Sequence, residues 1–215
     1  MKKIGLFFDL DGTLWNSLPQ ITKAWNKAMV ENNINRYFTE KDISSYMGLT
    51  PEETVPLAFP FVDFKRGLEL FKLCFEYELK YLMHHPGVLF PKEKEILQQL
   101  SKEFPLYVLS NADVGYIDTY IEGYGLQKIF KSFLCAGDTH LDKADNIKLL
   151  KSKEKLDHVI YIGDTKKDME QTLIAGETFV FASYGFGNIT NNNVYKIKSI
   201  EELPKVIEEI KKSLF

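Results

Sequence analysis

Short runs of consecutive apolar residues alternate with amphipathic segments along most of the chain. Because polar residues do not interrupt these runs, each predicts a strand buried on both faces, as in a parallel sheet. The predicted strands cover residues 4–8, 106–109, 133–135, 159–162 and 179–182. Helical patterns lie near residues 92–102, 115–125, 143–153, 166–175 and 200–214. This alternation predicts an α/β fold with a Rossmann-like, doubly wound parallel sheet as its core.

One region breaks the alternation. Between residues 15 and 85 the pattern predicts no strand and several helices. Ser17 can cap a helix that runs to about Glu31, Thr39 and Asp42 resemble a capping box, and residues 64–83 form a long amphipathic stretch. We interpret residues 15–85 as an all-helical insertion. Residues 1–14 and 86–215 then form the α/β core.

Composition excludes several classes of partner. The 215 residues carry a formal net charge of -3, so we expect neither nucleic acid nor an anionic membrane as partner. No segment approaches the length needed to cross a bilayer, and the apolar run before Asp9 is too short for a signal peptide. Cys74 and Cys135 do not form a Cys-x-x-Cys pair. A reduced, cytoplasmic setting is therefore expected, with both cysteines buried.

The first candidate for chemistry is Asp9-Leu10-Asp11-Gly12-Thr13, directly after the first predicted strand. In open parallel sheets, ligands collect beyond the carboxyl ends of the strands. Two carboxylates this close repel unless a cation lies between them, and their hard oxygens suit Mg²⁺. Gly12 permits a tight turn, and Thr13 supplies a hydroxyl and an amide for an anion. The alternative is a plain surface turn, which a preceding buried strand disfavours.

A second acidic segment follows the run at residues 159–162. Asp164 and Asp168 are four residues apart at the predicted start of a helix, so both can lie on one face of its first turn. The alternative is that Asp164 only caps that helix.

Two further segments are less specific. Ser110 and Asn111 end the second predicted strand and can bind phosphate oxygens, although this pair also serves as an ordinary strand terminator. Lys143 opens a helix after the third strand, where an ammonium near bound phosphate would offset charge. It can equally be one solvated lysine among many.

In this order, the four motifs resemble those of the haloacid dehalogenase-like (HAD) superfamily of phosphotransferases, and the resemblance covers the whole chain. The pattern is Asp-x-Asp-Gly-Thr, Ser-Asn, Lys, then Gly-Asp-x-x-x-Asp. The helical insertion looks like the α-helical cap of the subgroup that includes phosphoglycolate phosphatases and β-phosphoglucomutases.

The resemblance implies a role for each residue. Asp9 would attack phosphorus to form an aspartyl-phosphate, and Asp11 would act as general acid and base. Mg²⁺ would be held by Asp9, Asp164 and the backbone carbonyl of Asp11, with support from Asp168. The expected phosphate-binding residues are Thr13, Ser110, Asn111 and Lys143, and the expected specificity loop of the cap includes Gly48 and Leu49.

This sequence departs from the family pattern at two places. Trp15-Asn16 stands where the subgroup often has Val-Asp before Ser17. Lys143 is followed by Ala144 instead of the common proline, which leaves Lys148 as the fallback for the motif lysine.

We therefore expect a Mg²⁺-dependent phosphatase that acts on a small phosphorylated metabolite. The enzymatic alternative is a β-phosphoglucomutase-like mutase, whose cap binds a second phosphate through a histidine and an arginine. Ile21 and Pro51 align approximately with those two positions, and Arg36 or Arg66 can serve from elsewhere in the cap. A third possibility is a catalytically silent binding protein, which the intact set of carboxylates disfavours.

Overall fold

The computed structural model describes residues 2–191 and 193–214. Within these ranges the strands are β1 (Ile4–Phe8), β2 (Trp15–Asn16), β3 (Val88–Leu89), β4 (Leu106–Ser110), β5 (Phe130–Cys135), β6 (His158–Gly163), β7 (Thr178–Ala182) and β8 (Tyr195–Ile197). The helices are α1 (Leu18–Glu31), α2 (Glu40–Tyr46), α3 (Pro51–Ala58), α4 (Phe64–Leu82), α5 (Glu93–Leu100), α6 (Tyr116–Tyr124), α7 (Ala136–Thr139), α8 (Lys143–Glu154), α9 (Lys166–Ile174) and α10 (Leu203–Leu214).

A six-stranded parallel sheet forms the core, in the order β5-β4-β1-β6-β7-β8. Side chains of one strand point alternately to its two faces, and both faces are apolar. Phe8 and Ile160 belong to the apolar layer that includes residues of α6 and α10, whereas Phe7 and Tyr161 pack in the layer with α8 and α9. Helices on both faces confirm the predicted doubly wound fold.

The strand order brings three chain segments together. β1 lies between β4 and β6, so the chain leaves β1 towards one side of the sheet and later returns to the other. The carboxyl ends of these three strands are therefore adjacent. At such a topological switch point a crevice opens above the sheet, and it is the expected place for a ligand.

Helices α1–α4 pack around Trp25, whose ring contacts Phe38, Phe59 and Phe71. The predicted Thr39–Asp42 capping box at the start of α2 is confirmed. Ser17 is the N-cap residue of α1, which ends at Glu31 as predicted, but its hydroxyl donates to Asp11 and makes no capping hydrogen bond. Cys74 and Cys135 are free and buried, as expected.

A two-stranded antiparallel ribbon stands where the chain enters and leaves the helical segment. Trp15 pairs with Leu89 and Asn16 with Val88. A Cβ atom at Gly87 would lie 2.9 Å from the Trp15 ring, so only glycine lets the chain pass there. The expectation of no strand between residues 15 and 85 is therefore wrong at Trp15–Asn16. Strands of two residues are too short to show periodicity, and β8 was missed because it lacks an apolar run.

The boundaries at 14/15 and 85/86 fall beside this ribbon and stay a prediction. Among the described helices, none combines the length and the apolar character needed to cross a membrane.

The central strand β6 should carry much of the stability of the core. Ile160 is fully buried there, whereas Ile174 at the end of α9 is 62% exposed. Ile160→Ala should lower the free energy of unfolding by about 2–5 kcal/mol, because it removes buried methylenes and leaves a cavity. The same substitution at Ile174 should change it by less than about 0.5 kcal/mol. Urea denaturation measures both, and equal effects would contradict this account of the core.

Candidate active site

The first acidic loop begins where β1 ends. Asp9 follows Phe8, and its backbone N–H still donates to the carbonyl of Ile162 in β6 at 2.8 Å. This bond continues the strand pairing by one residue and fixes the start of the loop against β6. Asp164 follows β6 directly, so the two acidic segments predicted from sequence meet at the same edge of the sheet.

Asp9, Asp164 and Asp168 form a buried acidic cluster. Each offers one carboxylate oxygen, and these oxygens lie within 4.8 Å of one another. Asp164 Oδ2 accepts from the backbone N–H groups of Phe186 (2.7 Å) and Gly187 (3.3 Å). Its Oδ1 is buried and has no hydrogen-bond partner among the described residues. A buried carboxylate oxygen in this state is suited to coordinate a cation.

Lys143 bridges this cluster. Its Nζ donates to Asp9 Oδ1 at 2.8 Å and also to Asp168 Oδ1. Burial lowers the pKa of Lys143, but Asp168 and Asp9 raise it by more, so the side chain is an ammonium. The fallback residue Lys148 is half exposed and pairs with Asp145 on the surface. Lys143 is therefore the lysine that the fold brings to the predicted site.

The charges in the cluster do not balance. Burial, together with the charge of Asp168, raises the pKa of Asp9 to about 7. Burial raises the pKa of Asp164 well above its ordinary value, again with Asp168 contributing. One ammonium faces three carboxylates, so two negative charges stay uncompensated when all three ionise. A divalent cation with oxygen ligands fits this deficit, and the donor set suits Mg²⁺.

Asp168 has two roles, one for each oxygen. Its Oδ2 accepts from the backbone N–H (3.0 Å) and hydroxyl (2.6 Å) of Thr165, which is the N-cap residue of α9. Its Oδ1 faces Lys143. The cap of α9 is thus Thr165, not Asp164, and Asp164 is free for the cluster. Gly12 has φ +79°, and a Cβ atom there would lie 2.3 Å from Asp164 Oδ2, so the first loop needs glycine at this position.

Asp11 is held by three donors that converge on one oxygen. Its Oδ1 accepts from Trp15 Nε1 at 2.9 Å, from the Tyr116 hydroxyl at 2.8 Å and from the Ser17 hydroxyl. Burial raises the pKa of Asp11, and these hydrogen bonds oppose the rise. Sequence reasoning missed Tyr116, which comes from α6. The unusual Trp15 beside the motif was the available signal that the Asp11 environment differs here.

The predicted phosphate-binding residues differ in the hydrogen bonds that they already make within the protein. Ser110 Oγ accepts from the Ala112 N–H at 3.2 Å, and Asn111 Nδ2 donates to the carbonyl of Gly48 at 3.0 Å. The backbone N–H of Thr13 donates to the carbonyl of Leu10 at 3.3 Å. The buried hydroxyl of Thr13 has no hydrogen-bond partner among the described residues. The Thr13 amide is thus already used within the loop.

A cavity of about 110 Å³ lies between the acidic loop and helices α1–α4. Its described lining includes six residues predicted from sequence, namely Asp9, Asp11, Gly48, Leu49, Ser110 and Asn111. Thr13, Lys143, Asp164 and Asp168 are not among the lining residues. The wall opposite the acidic loop combines aliphatic side chains of the helical segment with aromatic side chains of that segment and of α6, the aromatic ones being Trp25, Tyr46, Phe71, Phe75 and Tyr116.

One charged residue in this wall was missed by sequence reasoning. Glu78 on α4 is 6% exposed and lines the cavity, and its Oε2 accepts from Trp25 Nε1 at 2.5 Å. Burial raises the pKa of Glu78 to about 8, and the charge of Asp11 adds to the rise. The signal was present in the helical pattern: Leu70, Cys74 and Leu82 share the buried face of α4 with it.

The family model of the haloacid dehalogenase-like hydrolases matches residues 6–182 of this chain. The chain belongs to this family. A phosphoglycolate phosphatase from Vibrio parahaemolyticus is 25% identical, over 93% of this chain and 94% of that protein. These matches identify a phosphatase of the phosphoglycolate phosphatase-like subgroup.

Solved structures agree on the fold. A haloacid dehalogenase-like hydrolase from Streptococcus pneumoniae superposes with a TM-score of 0.82 at 24% identity, covering 96% of this chain and 98% of that one. A CbbY variant from Rhodobacter sphaeroides, in complex with xylulose 1,5-bisphosphate, gives 0.79 at 13% identity, covering 94% and 96%. At these identities the likeness shows a shared fold and nothing about substrate.

The buried acidic cluster predicts that Mg²⁺ stabilises this phosphatase. At a hundredfold excess over its Kd, Mg²⁺ should raise the Tm by roughly 5–10 °C. Asp164→Asn should abolish the shift and should raise the Tm in EDTA, because it removes one of the mutually repelling carboxylates. The exposed Asp145→Asn should behave like the wild type. Thermal unfolding with EDTA or Mg²⁺ measures all three, and an unchanged shift in Asp164→Asn would contradict the assignment.

Proposed function

We propose that this enzyme is a Mg²⁺-dependent phosphatase that hydrolyses a small phosphomonoester through an aspartyl-phosphate intermediate. The observation that carries the proposal is the position of Asp9. It lies in the acidic cluster, is bridged to Asp168 by Lys143, and lines the cavity. The Asp9 carboxylate thus contacts both Lys143 in the acidic cluster and the cavity that is open to a substrate.

Lys143 orients the nucleophile. It binds Asp9 Oδ1, so the other oxygen of Asp9 is the one available for attack on phosphorus. Asp9, Asp164 and the backbone carbonyl of Asp11 would hold Mg²⁺, with Asp168 in support. The metal would neutralise charge on the transferring phosphoryl group. Ser110 and Asn111 at the end of β4, with Thr13 in the acidic loop, would hold the phosphoryl oxygens.

Asp11 acts as the general acid and base. Burial favours its protonated form, which is required to protonate the leaving alkoxide. After that step the ionised carboxylate accepts a proton from the water that attacks the aspartyl-phosphate. Its three hydrogen-bond donors, Trp15, Ser17 and Tyr116, stabilise this ionised form and fix the orientation of the carboxyl group.

The cavity wall favours a hydrolase over a mutase. A mutase needs cap side chains that bind a second phosphate, whereas Ile21 and Pro51 both line this cavity with apolar groups. Arg36 pairs with Asp42, lies over the Phe38 ring and donates to the hydroxyl of Tyr46. Arg66 pairs with Glu69 on the same helix. Neither arginine is among the described lining residues.

Asp9→Asn should abolish turnover and the trapped aspartyl-phosphate, because an amide is not a nucleophile. Asp11→Asn should lower kcat by about 10²–10⁴-fold, since it removes proton transfer while leaving the nucleophile in place. Steady-state kinetics and acid-quench trapping of phosphorylated enzyme measure both. A near-normal kcat for Asp9→Asn would contradict the covalent mechanism.

The helical segment should move relative to the core during turnover, with hinges near Trp15–Asn16 and residues 85–87. In this structure Lys167 on α9 pairs with Glu53 on α3 at 2.6 Å. Breaking such a partly exposed pair should increase the open fraction by about fivefold at most. Fluorescence energy transfer between labels on the core and the helical segment measures this in Lys167→Met.

Lys166→Met is the matched control, because Lys166 pairs with Glu170 within its own helix. A phosphate mimic with Mg²⁺ should return Lys167→Met to the closed distance. Identical distances in all states would show that the two parts are locked together.

A further inference from the structure

We propose that the wall of the cavity formed by the helical segment binds an ammonium group, and that the substrate is a compact amino-alcohol phosphomonoester. This inference rests on the proposed phosphatase function and names the class of molecule whose ester bond is cleaved. The amine would lie a few bonds from the ester oxygen, with the phosphoryl group at Asp9 and the ammonium at Glu78.

The placement of Glu78 is the first support. It lies on the buried face of α4 and lines the same cavity as Asp9 and Asp11. Among the described residues its hydrogen-bond donor is Trp25, which binds Oε2. Oε1 is left to accept from a ligand. Burial raises the pKa of Glu78 because an unpaired buried carboxylate is costly, and a substrate ammonium would stabilise the ionised form through a charge-assisted hydrogen bond.

The aromatic side chains around Glu78 are the second support. Trp25 stacks on Tyr46 at 6.1 Å between ring centroids, contacts Phe71 at 5.9 Å, and all three line the cavity. These aromatic side chains make the surroundings of Glu78 apolar, and in an apolar environment the attraction between an ammonium and a carboxylate is stronger than in water. Phe75 and Tyr116, whose centroids are 6.4 Å apart, line the same cavity.

The charge of the lining is the third support. The described lining residues include no lysine, arginine or histidine, and they include four acidic residues, Asp9, Asp11, Glu78 and Asp113. A substrate with a carboxylate on its alcohol part, such as phosphoglycolate, would leave that charge unpaired against Glu78. The volume of about 110 Å³ is smaller than the ~150 Å³ cavity that holds benzene, so the molecule must be compact.

Three two-carbon phosphates that differ only in the terminal group test the proposal: 2-aminoethyl, 2-hydroxyethyl and carboxymethyl phosphate. With Mg²⁺ present, kcat/KM for the amine should exceed that for the alcohol by roughly tenfold or more, with the carboxylate lowest. Glu78→Gln keeps the size and an acceptor for Trp25 but removes the charge. It should reduce the amine-to-alcohol ratio to about one by weakening the amine.

Glu93→Gln is the matched control. Glu93 is also a buried glutamate bonded to an aromatic donor, Tyr120, but it is not among the lining residues. Its ratio should equal that of the wild type. A wild-type preference for the alcohol or the carboxylate would overturn the inference whether or not Glu78→Gln folds, and so would an unchanged ratio in a folded Glu78→Gln.

A fourth substrate distinguishes failure of the ammonium site from failure of the phosphatase function. If p-nitrophenyl phosphate and the alcohol are hydrolysed without preference for the amine, the phosphatase function stands and the ammonium site is wrong. If none of the four compounds is hydrolysed, the proposed function fails and the inference fails with it.

Discussion

The contact of Lys143 with Asp9 and Asp168 is the interaction on which the site depends. It ties the end of β1 to the first turns of α8 and α9, which come much later in the chain. Buried ion pairs of this kind contribute little net stability, because desolvation offsets the attraction between the charges. Their value here lies in geometry and charge: Lys143 binds one oxygen of Asp9, and the remaining carboxylate charge suits a divalent cation.

A second hydrogen-bond network connects Asp11 to the residues through which the chain enters the helical segment. Asp11 is bound by Trp15 in the ribbon, by Ser17 just before α1, and by Tyr116 on α6. The group that would transfer protons is therefore positioned by the residues through which the chain enters the helices. If the helical segment moves at Trp15–Asn16, as predicted, the surroundings of Asp11 would change, which would give a physical route from that movement to the protonation state of Asp11.

The two halves of the cavity carry different kinds of side chain. The sheet end supplies carboxylates, the Ser110 hydroxyl and the Asn111 amide, with Lys143 bound to Asp9, and such groups suit phosphoryl transfer in general but say little about the rest of the substrate. The opposite wall supplies rings and Glu78, with apolar side chains at Ile21 and Pro51. The hydrogen bond from Asn111 to the Gly48 carbonyl joins the two halves of the cavity.

The sequence alone determined the fold class, the two acidic loops and the helical insertion, because buried parallel strands read as continuous apolar runs and the loops follow them directly. It also singled out Lys143, although only the structure separated it from Lys148. Tertiary structure alone decided the donors on Asp11, the ribbon at Trp15 and the place of Glu78. Those features depend on pairing between residues far apart in the chain, and local periodicity carries no information about which distant side chain completes a hydrogen bond or faces a cavity.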